Sequence, residues 1–289
     1  MLLYEYANKQ VTFKSTGKGT NPLFKRRIYI MKKKLLAVLL AATCVVSMAA
    51  CGSKGNEEAE GNGKLIVGTE AGFAPYEYMK GNEVVGIDMD ISKAIADELG
   101  MELEIKNMDF DGALAEAASG KVDFVAAAVS VSEERKEMMN FSTEYVNSTD
   151  VIVVNKETPM VESTGAEIDP TVLNDKIVAV QQGNIADIFV TNKENCEPKE
   201  IKRYTKFVQA AEDLKNNKVD CMVMDKFPAE ELVKQNDSLM ILDGILFEDK
   251  YAIGVSKKNP ELLDKINAVI EKLIEEGKIE EFTANHVQK

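Results

Sequence analysis

Histidine is almost missing from this sequence, which contains only His286, close to the end of the chain. Histidine is the commonest general base in enzymes, and we expect the region around His286 to be a frayed tail. A Ser-His-Asp triad is therefore excluded. We accordingly predict no catalytic residues and no cofactor.

Cysteine is also scarce, and the four cysteines lack the spacing of a metal site, so we predict no bound metal. Cys44 falls in an N-terminal apolar run, and Cys51 follows that run. Only Cys196 and Cys221 remain for the folded body. An oxidising compartment would allow these two to form a disulfide, and two unpaired, partly buried thiols are the preferred alternative.

A net positive charge is lacking after the first 50 residues. The formal net charge is −13, and the first 50 residues are strongly basic, so the remainder is more acidic than the total suggests. Proteins bind nucleic acid largely through cationic contacts to phosphate. We therefore exclude nucleic acid as a partner.

Long apolar runs are missing beyond residue 50, and no later stretch is long enough to span a membrane. The one such run, residues 35–48, follows three lysines and ends at Ala49-Ala50-Cys51. A short apolar run before small residues predicts a signal peptide at residues 31–50. The position of Cys51 resembles the lipidated cysteine of the bacterial lipobox, and an uncleaved anchor helix is the alternative.

Two further N-terminal segments flank this signal. Residues 51–63 are rich in Gly, Asn and Glu, which predicts a flexible tether. Residues 1–30 precede a good start methionine and are interpreted as an over-extended N-terminus. We therefore expect a protein held by lipid on the extracellular face of the cell membrane.

Beyond the tether, short strands alternate with helices. Residues 65–68 and 122–129 are predicted to form buried strands. Residues 91–99 and 112–119 are predicted to form helices, the first because its apolar positions recur on one face. This alternation predicts an α/β fold with mostly parallel sheets.

A weak internal repeat suggests two similar lobes. Phe110 precedes Lys121-Val122-Asp123, and Phe207 precedes Lys218-Val219-Asp220 at the same spacing, with an Ala-containing helix between them in each case. Coincidence within a common βαβ pattern is the alternative to a true repeat.

Two β-branched runs, residues 150–154 and 251–255, are candidates for crossings between the lobes. This interpretation assigns residues 64–152 plus 254–289 to the first lobe and residues 153–253 to the second. Two extended crossings would form a hinge, which suits closure on a ligand.

The residues from 64 to 285 resemble the extracellular solute-binding proteins (family 3) of polar amino-acid ABC transporters, through motifs that are individually weak but specific in their order. The motifs are Gly68-Thr69-Glu70, Phe73-Ala74-Pro75-Tyr76-Glu77-Tyr78, Gly86-Ile87-Asp88-Met89-Asp90, Asp109-Phe110-Asp111-Gly112, Ser130-Val131-Ser132-Glu133-Glu134-Arg135, Phe141-Ser142, Tyr145, Val180-Gln181-Gln182-Gly183-Asn184 and Val223-Met224-Asp225. The resemblance implies a type II periplasmic-binding-protein fold, with two α/β lobes joined by a two-strand hinge. It also implies capture of an L-amino acid for an ABC permease and ATPase.

The resemblance assigns the ligand carboxylate to Arg135, whose guanidinium can donate two parallel hydrogen bonds. Ser130 adds a hydroxyl, and Ser132 is predicted to cap the following helix. In the second lobe, backbone N–H groups at Asn184 and Ile185 correspond to the family's carboxylate-binding turn. A solvated helix arginine is the alternative for Arg135.

The ligand ammonium is assigned to Asp225, because a carboxylate forms a charge-assisted hydrogen bond with it. Ala128 contributes a backbone carbonyl as a second acceptor. A simple cap at the end of a strand is the alternative for Asp225.

The ligand side chain is assigned to the aromatic residues Phe73 and Phe110 and to the polar residues Glu70 and Gln181. Plain core packing is the alternative for Phe110. We expect a polar or basic amino acid, followed by an amide or sulfur-containing one.

Two rival functions stay open on the sequence. A sensor subunit would act through a membrane receptor or kinase. A dehydratase-type enzyme of the same fold could use Glu70 as a catalytic acid. For the binding protein we expect a monomer.

Overall fold

The computed structural model describes residues 63–162 and 165–287. The predicted N-terminal segment, signal peptide, lipidation site Cys51 and all but the last residue of the predicted tether lie outside these residues. Within the described ranges, every helix is too short or too polar to cross a bilayer.

Short strands alternate with helices along the described chain, as the sequence pattern predicts. The strands are β1 (Lys64–Thr69), β2 (Gly72–Phe73), β3 (Glu77–Lys80), β4 (Glu83–Val85), β5 (Glu102–Asn107), β6 (Phe124–Val125), β7 (Met139–Phe141), β8 (Val146–Asn155), β9 (Ile177–Gln181), β10 (Glu200–Tyr204), β11 (Cys221–Asp225), β12 (Leu239–Ile241), β13 (Phe247–Tyr251) and β14 (Gly254–Ser256). The helices are α1 (Ile87–Glu98), α2 (Phe110–Ser119), α3 (Glu133–Met138), α4 (Ile185–Thr191), α5 (Phe207–Lys215), α6 (Lys226–Lys234), α7 (Pro260–Glu275) and α8 (Lys278–His286), with a 3₁₀ helix at Pro170–Leu173.

Two sheets form the centres of two lobes. The strand order is β5-β1-β6-β14-β7 in lobe 1 and β10-β9-β11-β8-β12 in lobe 2, where β13 also pairs with β8. In both lobes the first three strands are parallel and the fourth is antiparallel to the third. The predicted two-lobed α/β fold is therefore confirmed, and the lobes share one topology.

The internal repeat occupies equivalent places in the two lobes. Phe110 and Phe207 are the first, buried residues of α2 and α5. Asp123 accepts a hydrogen bond from the backbone N–H of Ile66 at 2.6 Å, and Asp220 accepts one from Ile177 at 2.7 Å. Each aspartate thus joins the loop before the third strand to the second strand of its sheet, which supports a true repeat.

The sequence-based lobe boundary at residues 152–153 falls inside a strand of the second sheet. Residues 150–154 lie inside β8, which pairs along its length with β11, β12 and β13 of lobe 2. A continuous β-branched run is typical of a strand buried on both faces, which is its role here.

Two segments run side by side where the chain passes between the sheets. The backbone N–H of Ser142 donates to the carbonyl of Ile253 at 2.9 Å, and that of Tyr145 donates to Tyr251 at 3.0 Å. We propose that residues 142–145 and 252–253 are the hinge crossings. The second crossing agrees with the predicted start of the return segment at residue 254.

Helix α1 carries a strict apolar face, since Ile87, Ile91 and Ile95 are fully buried. It starts one turn earlier than predicted. Asp88 and Asp90 lie in its first turn, where negative charge favours the helix dipole. Gly100 follows the helix with φ +64°, as expected for a terminating glycine.

The expected frayed tail around His286 is instead packed. Helix α8 contacts α1, and Nε2 of His286 lies 2.9 Å from Oδ2 of Asp90. Nδ1 of His286 lies 3.1 Å from the hydroxyl of Tyr78. The histidine therefore fastens the last helix to lobe 1.

Candidate functional site

Arg135 lies at the contact between the two lobes. Ser132 caps α3 by accepting a hydrogen bond from the backbone N–H of Arg135, as predicted. The guanidinium is buried, and Nη1 donates to the carbonyl of Ser130 at 2.7 Å. Nη2 donates across to the carbonyl of Gly183 in lobe 2 at 2.8 Å. The alternative of a solvated helix arginine is thereby excluded.

The environment of Arg135 is apolar on one side and acidic on the other. Its Cζ lies 5.4 Å from the ring centroid of Phe110, a cation–π contact. Burial lowers the pKa of Arg135 to about 10, although Asp249 and Asp225 act in the opposite direction. The guanidinium is therefore charged at neutral pH, and its field favours an anion in the cleft.

The predicted glycine turn of lobe 2 meets lobe 1 directly. Gly183 has φ +73°, and a Cβ there would lie 1.7 Å from Oδ1 of Asp111, so no larger residue fits. Gln182 donates to Oδ2 of Asp111 at 2.7 Å. Asn184 caps α4 by accepting from the N–H of Ala186 at 3.2 Å, and the half-buried Ile185 starts that helix.

Asp225 ends β11 and is buried in lobe 2. One of its carboxylate oxygens, Oδ1, accepts hydrogen bonds from the hydroxyls of Tyr251 and Ser148. The helix α6 follows at once, but Asp225 makes no side-chain bond to that helix. The carboxylate is therefore not a helix cap.

Two further carboxylates, which sequence reasoning missed, surround Asp225. One oxygen each of Asp150, Asp225 and Asp249 lie within 4.8 Å of one another, and all three residues are buried. Oδ2 of Asp249 accepts from the hydroxyl of Ser130 at 2.5 Å, which links lobe 2 to lobe 1. Both carboxylate oxygens of Asp150 are buried with no hydrogen-bond partner. We call these three residues the aspartate cluster.

The aspartate cluster is an unfavourable arrangement of like charges. Burial, followed by repulsion from Asp249, raises the pKa of Asp225 well above its usual range. Burial, followed by repulsion from Asp225 and Asp249, also raises the pKa of Asp150 well above its usual range. Such a cluster is stabilised by protons or by a cation placed between the carboxylates.

Ala128 has a strained backbone that a buried acid holds in place. Its φ is +47°, which is uncommon for a residue with a Cβ. Its N–H donates to Oδ2 of Asp88 at 2.7 Å, and Tyr145 donates to Oδ1 at 2.8 Å. Burial raises the pKa of Asp88 to about 6 despite these bonds. Asp88 was recognised only as part of a motif, since its role depends on residues distant in the sequence.

A second acid, Glu70, lies at another part of the lobe contact. Its Oε2 accepts a hydrogen bond from Nε2 of Gln181 at 3.1 Å. Its Oε1 lies 3.4 Å from Nζ of Lys206, which sequence reasoning did not single out. Burial raises the pKa of Glu70, and Gln181 and Lys206 oppose that shift.

Aromatic rings of the two lobes also stack across the lobe contact. Phe73 stacks on Phe207 of lobe 2 with ring centroids 5.6 Å apart, and on Tyr76 of its own lobe at 6.1 Å. Phe110 lies under the guanidinium of Arg135 and also packs into a hydrophobic core of lobe 1 with Ala113 and Leu114, so the alternative of core packing holds beside the cation–π contact.

Cys196 and Cys221 are both free and buried in lobe 2, which matches the preferred alternative. Burial raises the pKa of each thiol. Neither thiol is therefore a reactive nucleophile at neutral pH.

Comparison with known proteins agrees with this architecture. Residues 65–289 match the model of the bacterial extracellular solute-binding proteins, family 3. The chain is 29% identical over 255 residues to the arginine-binding extracellular protein ArtP of Bacillus subtilis, covering 86% of this chain and 96% of ArtP.

Solved structures show the same fold. The arginine-bound, truncated ArgBP from T. maritima superposes with a TM-score of 0.67 at 36% identity, covering 73% of this chain and 96% of that one. An ancestral arginine-binding protein bound to glutamine gives a TM-score of 0.69 at 34% identity, covering 79% and 99%. These relatives are binding proteins rather than enzymes, and the matching regions span the described body. The chain belongs to the bacterial extracellular solute-binding proteins of family 3.

Proposed function

We propose that this protein is the lipid-anchored, extracellular substrate-binding component of an ABC importer, and that it captures an L-amino acid with a polar or basic side chain. The observation that carries the proposal is the opposite charge of the two lobes at their contact. Lobe 1 presents the buried Arg135, and lobe 2 presents the buried Asp225. A zwitterion carries both complementary charges.

The carboxylate of the amino acid would bind at Arg135. In the structure, the two terminal nitrogens of Arg135 donate to the carbonyls of Ser130 and Gly183. A carboxylate is a better acceptor for a guanidinium than a neutral carbonyl, because both partners are charged. The backbone N–H groups of Asn184 and Ile185 would approach the same carboxylate from lobe 2.

The ammonium would bind at Asp225, with the carbonyl of Ala128 as a second acceptor. The aspartate cluster strengthens this assignment, because an ammonium relieves the repulsion among its buried carboxylates. The strained backbone at Ala128, held by Asp88, would orient that carbonyl.

Lobe closure would follow from these contacts. Only the closed form lets one ligand satisfy Arg135 and Asp225 together, so the ligand favours that form by its differential affinity. Closure also buries the ligand, and the closed shape would then dock on the permease.

The side chain would lie between Phe73 and Glu70, with Gln181 beside it. An acid at this place suits a polar or cationic side chain. The relatives include an arginine-binding protein of Bacillus subtilis and an ancestral arginine-binding protein bound to glutamine, which supports the polar or basic class.

A thermal-shift screen of the purified full chain against the twenty amino acids tests the proposal. We expect a polar or basic amino acid to raise the melting temperature, because a ligand of the native state stabilises it. Failure of every amino acid to do so would refute the capture function. Separately, Cys51→Ser should move the protein from the membrane fraction to the medium, and retention at the membrane would refute the lipid anchor.

A further inference from the structure

Glu70 receives both of its partners from the opposite lobe. Gln181 donates to Oε2 at 3.1 Å, and Nζ of Lys206 lies 3.4 Å from Oε1. The side chain of Glu70 is only 3% exposed, whereas that of Lys206 is 41% exposed. The acid is thus fixed inside the cleft, and the lysine reaches it from the surface.

The backbone around Lys206 is held by its neighbours. The carbonyl of Thr205 accepts from Nε2 of Gln181 at 3.1 Å. The ring of Phe207 stacks on Phe73 across the cleft. Lys206 therefore enters the side-chain part of the cleft as a defined element of lobe 2, while its long side chain keeps access to solvent.

The negative charge of Glu70 and the positive charge of Lys206 nearly cancel. Lys206 opposes the rise that burial causes in the pKa of Glu70 by its positive charge, because Nζ lies 3.4 Å from Oε1. Asp109 adds a further negative field, but it is exposed, so solvent and salt screen it. A ligand side chain at Glu70 thus meets a carboxylate and an ammonium together.

We infer that Lys206 is a specificity-determining residue, which makes the side-chain pocket favour an uncharged polar group, such as an amide, over a guanidinium or ammonium. This inference rests on the proposed function. A cationic side chain must either approach the ammonium of Lys206 or displace it from Glu70. An amide can donate to Glu70 while Lys206 stays in place.

The replacement Lys206→Met tests this inference because it keeps the aliphatic stem and removes the charge. Glu70 then lacks its cationic partner, and a cationic ligand can supply the missing charge. We expect the affinity for arginine to rise roughly tenfold, on the scale of one partly buried charge pair. The affinity for glutamine should change less than about threefold, because its amide never paired with the lysine.

The measurement is isothermal titration calorimetry of the full chain with arginine and with glutamine. Lys218→Met is the matched control, since Lys218 belongs to the same lobe and pairs with Asp213 at the surface, at 2.9 Å. We expect its ratio of affinities to equal that of the unmodified protein.

The outcomes separate the two proposals. An unmodified protein that binds no amino acid overturns both the proposed function and the role of Lys206. Binding that is intact, with an arginine-to-glutamine ratio that Lys206→Met leaves unchanged or shifts towards glutamine, overturns the role of Lys206 alone.

Discussion

The two lobes share one strand order but present opposite charges to each other at two places. Near Ser130, lobe 1 offers the cation Arg135 and lobe 2 offers the aspartate cluster. Near Phe73, lobe 1 offers the acid Glu70 and lobe 2 offers the cation Lys206. The polarity is therefore reversed between the two places.

This reversal shows what a repeated topology does not specify. The repeat supplies equivalent positions just before the third strand of each sheet, as the pair Asp123 and Asp220 shows. The charges that face the cleft come from different elements in the two lobes, since Arg135 lies in helix α3 of lobe 1 and the aspartate cluster lies on strands of lobe 2. A ligand must then match a crossed pattern of charges, which selects a dipolar molecule and sets its orientation.

The largest effect is expected from Arg135→Ala. Amino-acid affinity should fall roughly 10³-fold, because the carboxylate loses a buried, charge-assisted partner. The buried guanidinium also contacts Phe110 and two carbonyls, so some loss of unfolding free energy should accompany it. Calorimetry measures the first effect and urea unfolding the second. Affinity that survives within tenfold would contradict the carboxylate assignment. Lys272→Ala, which removes an exposed pair with Glu98, is the control in the same lobe.

The second-largest effect is expected from Asp225→Asn in lobe 2. This replacement should weaken ligand binding and increase the stability of the unliganded protein. Affinity should fall roughly 10²-fold, because the ammonium loses its charged acceptor. The unliganded protein should resist urea better, since one charge leaves a buried like-charge cluster. A variant that is less stable and still binds would contradict both expectations. Asp97→Asn, at an exposed pair with Lys93, is the control.

A pH titration sharpens the contrast between the lobes. Burial raises the pKa of Asp225 and Asp150, so the aspartate cluster keeps protons to higher pH than ordinary carboxyls. Binding of an ammonium should displace such a proton. Affinity should therefore fall as the pH falls from 7 towards 5, by up to about tenfold per unit for each proton released. Calorimetry in buffers of different ionisation enthalpy counts these protons, and a count of zero would refute the displacement.

The unliganded protein should show the reverse trend in stability. The pKa of Asp88 is raised from an ordinary value of 3.8 to about 6 by burial, so the folded state binds its proton more tightly than the unfolded state. This group then contributes more to stability as the pH falls from about 6 towards 3.8. Urea unfolding between pH 7 and 5 checks the sign. If the protein instead loses stability over that interval, and the Asp88→Asn variant loses the same amount, Asp88 does not contribute to the pH dependence.

The smallest effect is expected outside the cleft. Glu144 lies in the first proposed hinge crossing and forms an ion pair with Lys250 at 2.8 Å, and both side chains are well exposed. Glu144→Ala should change ligand affinity less than about twofold, since exposed pairs are screened by solvent. A larger loss in calorimetry would show that exposed charges at the hinge also control closure.

Local sequence signals predicted those features that depend on near neighbours. Ser132 was expected to cap α3, and its hydroxyl does so because the two residues are three apart. Asp225 was expected at a strand end, and it ends β11. Residues 150–154 were predicted as a crossing, but they lie inside the central strand β8, because a β-branched run reports burial on both faces and such burial occurs in a central strand.

The sequence by itself determined the α/β class, the two-lobed family, and the identity of one cation and one anion on opposite lobes. Only the tertiary structure showed that Asp150 and Asp249 join Asp225, and that Lys206 reaches Glu70. Those contacts join residues far apart in the chain, and a spacing pattern carries no information about such pairs. Electrostatic interactions depend on distance and burial, which are set when the lobes come together.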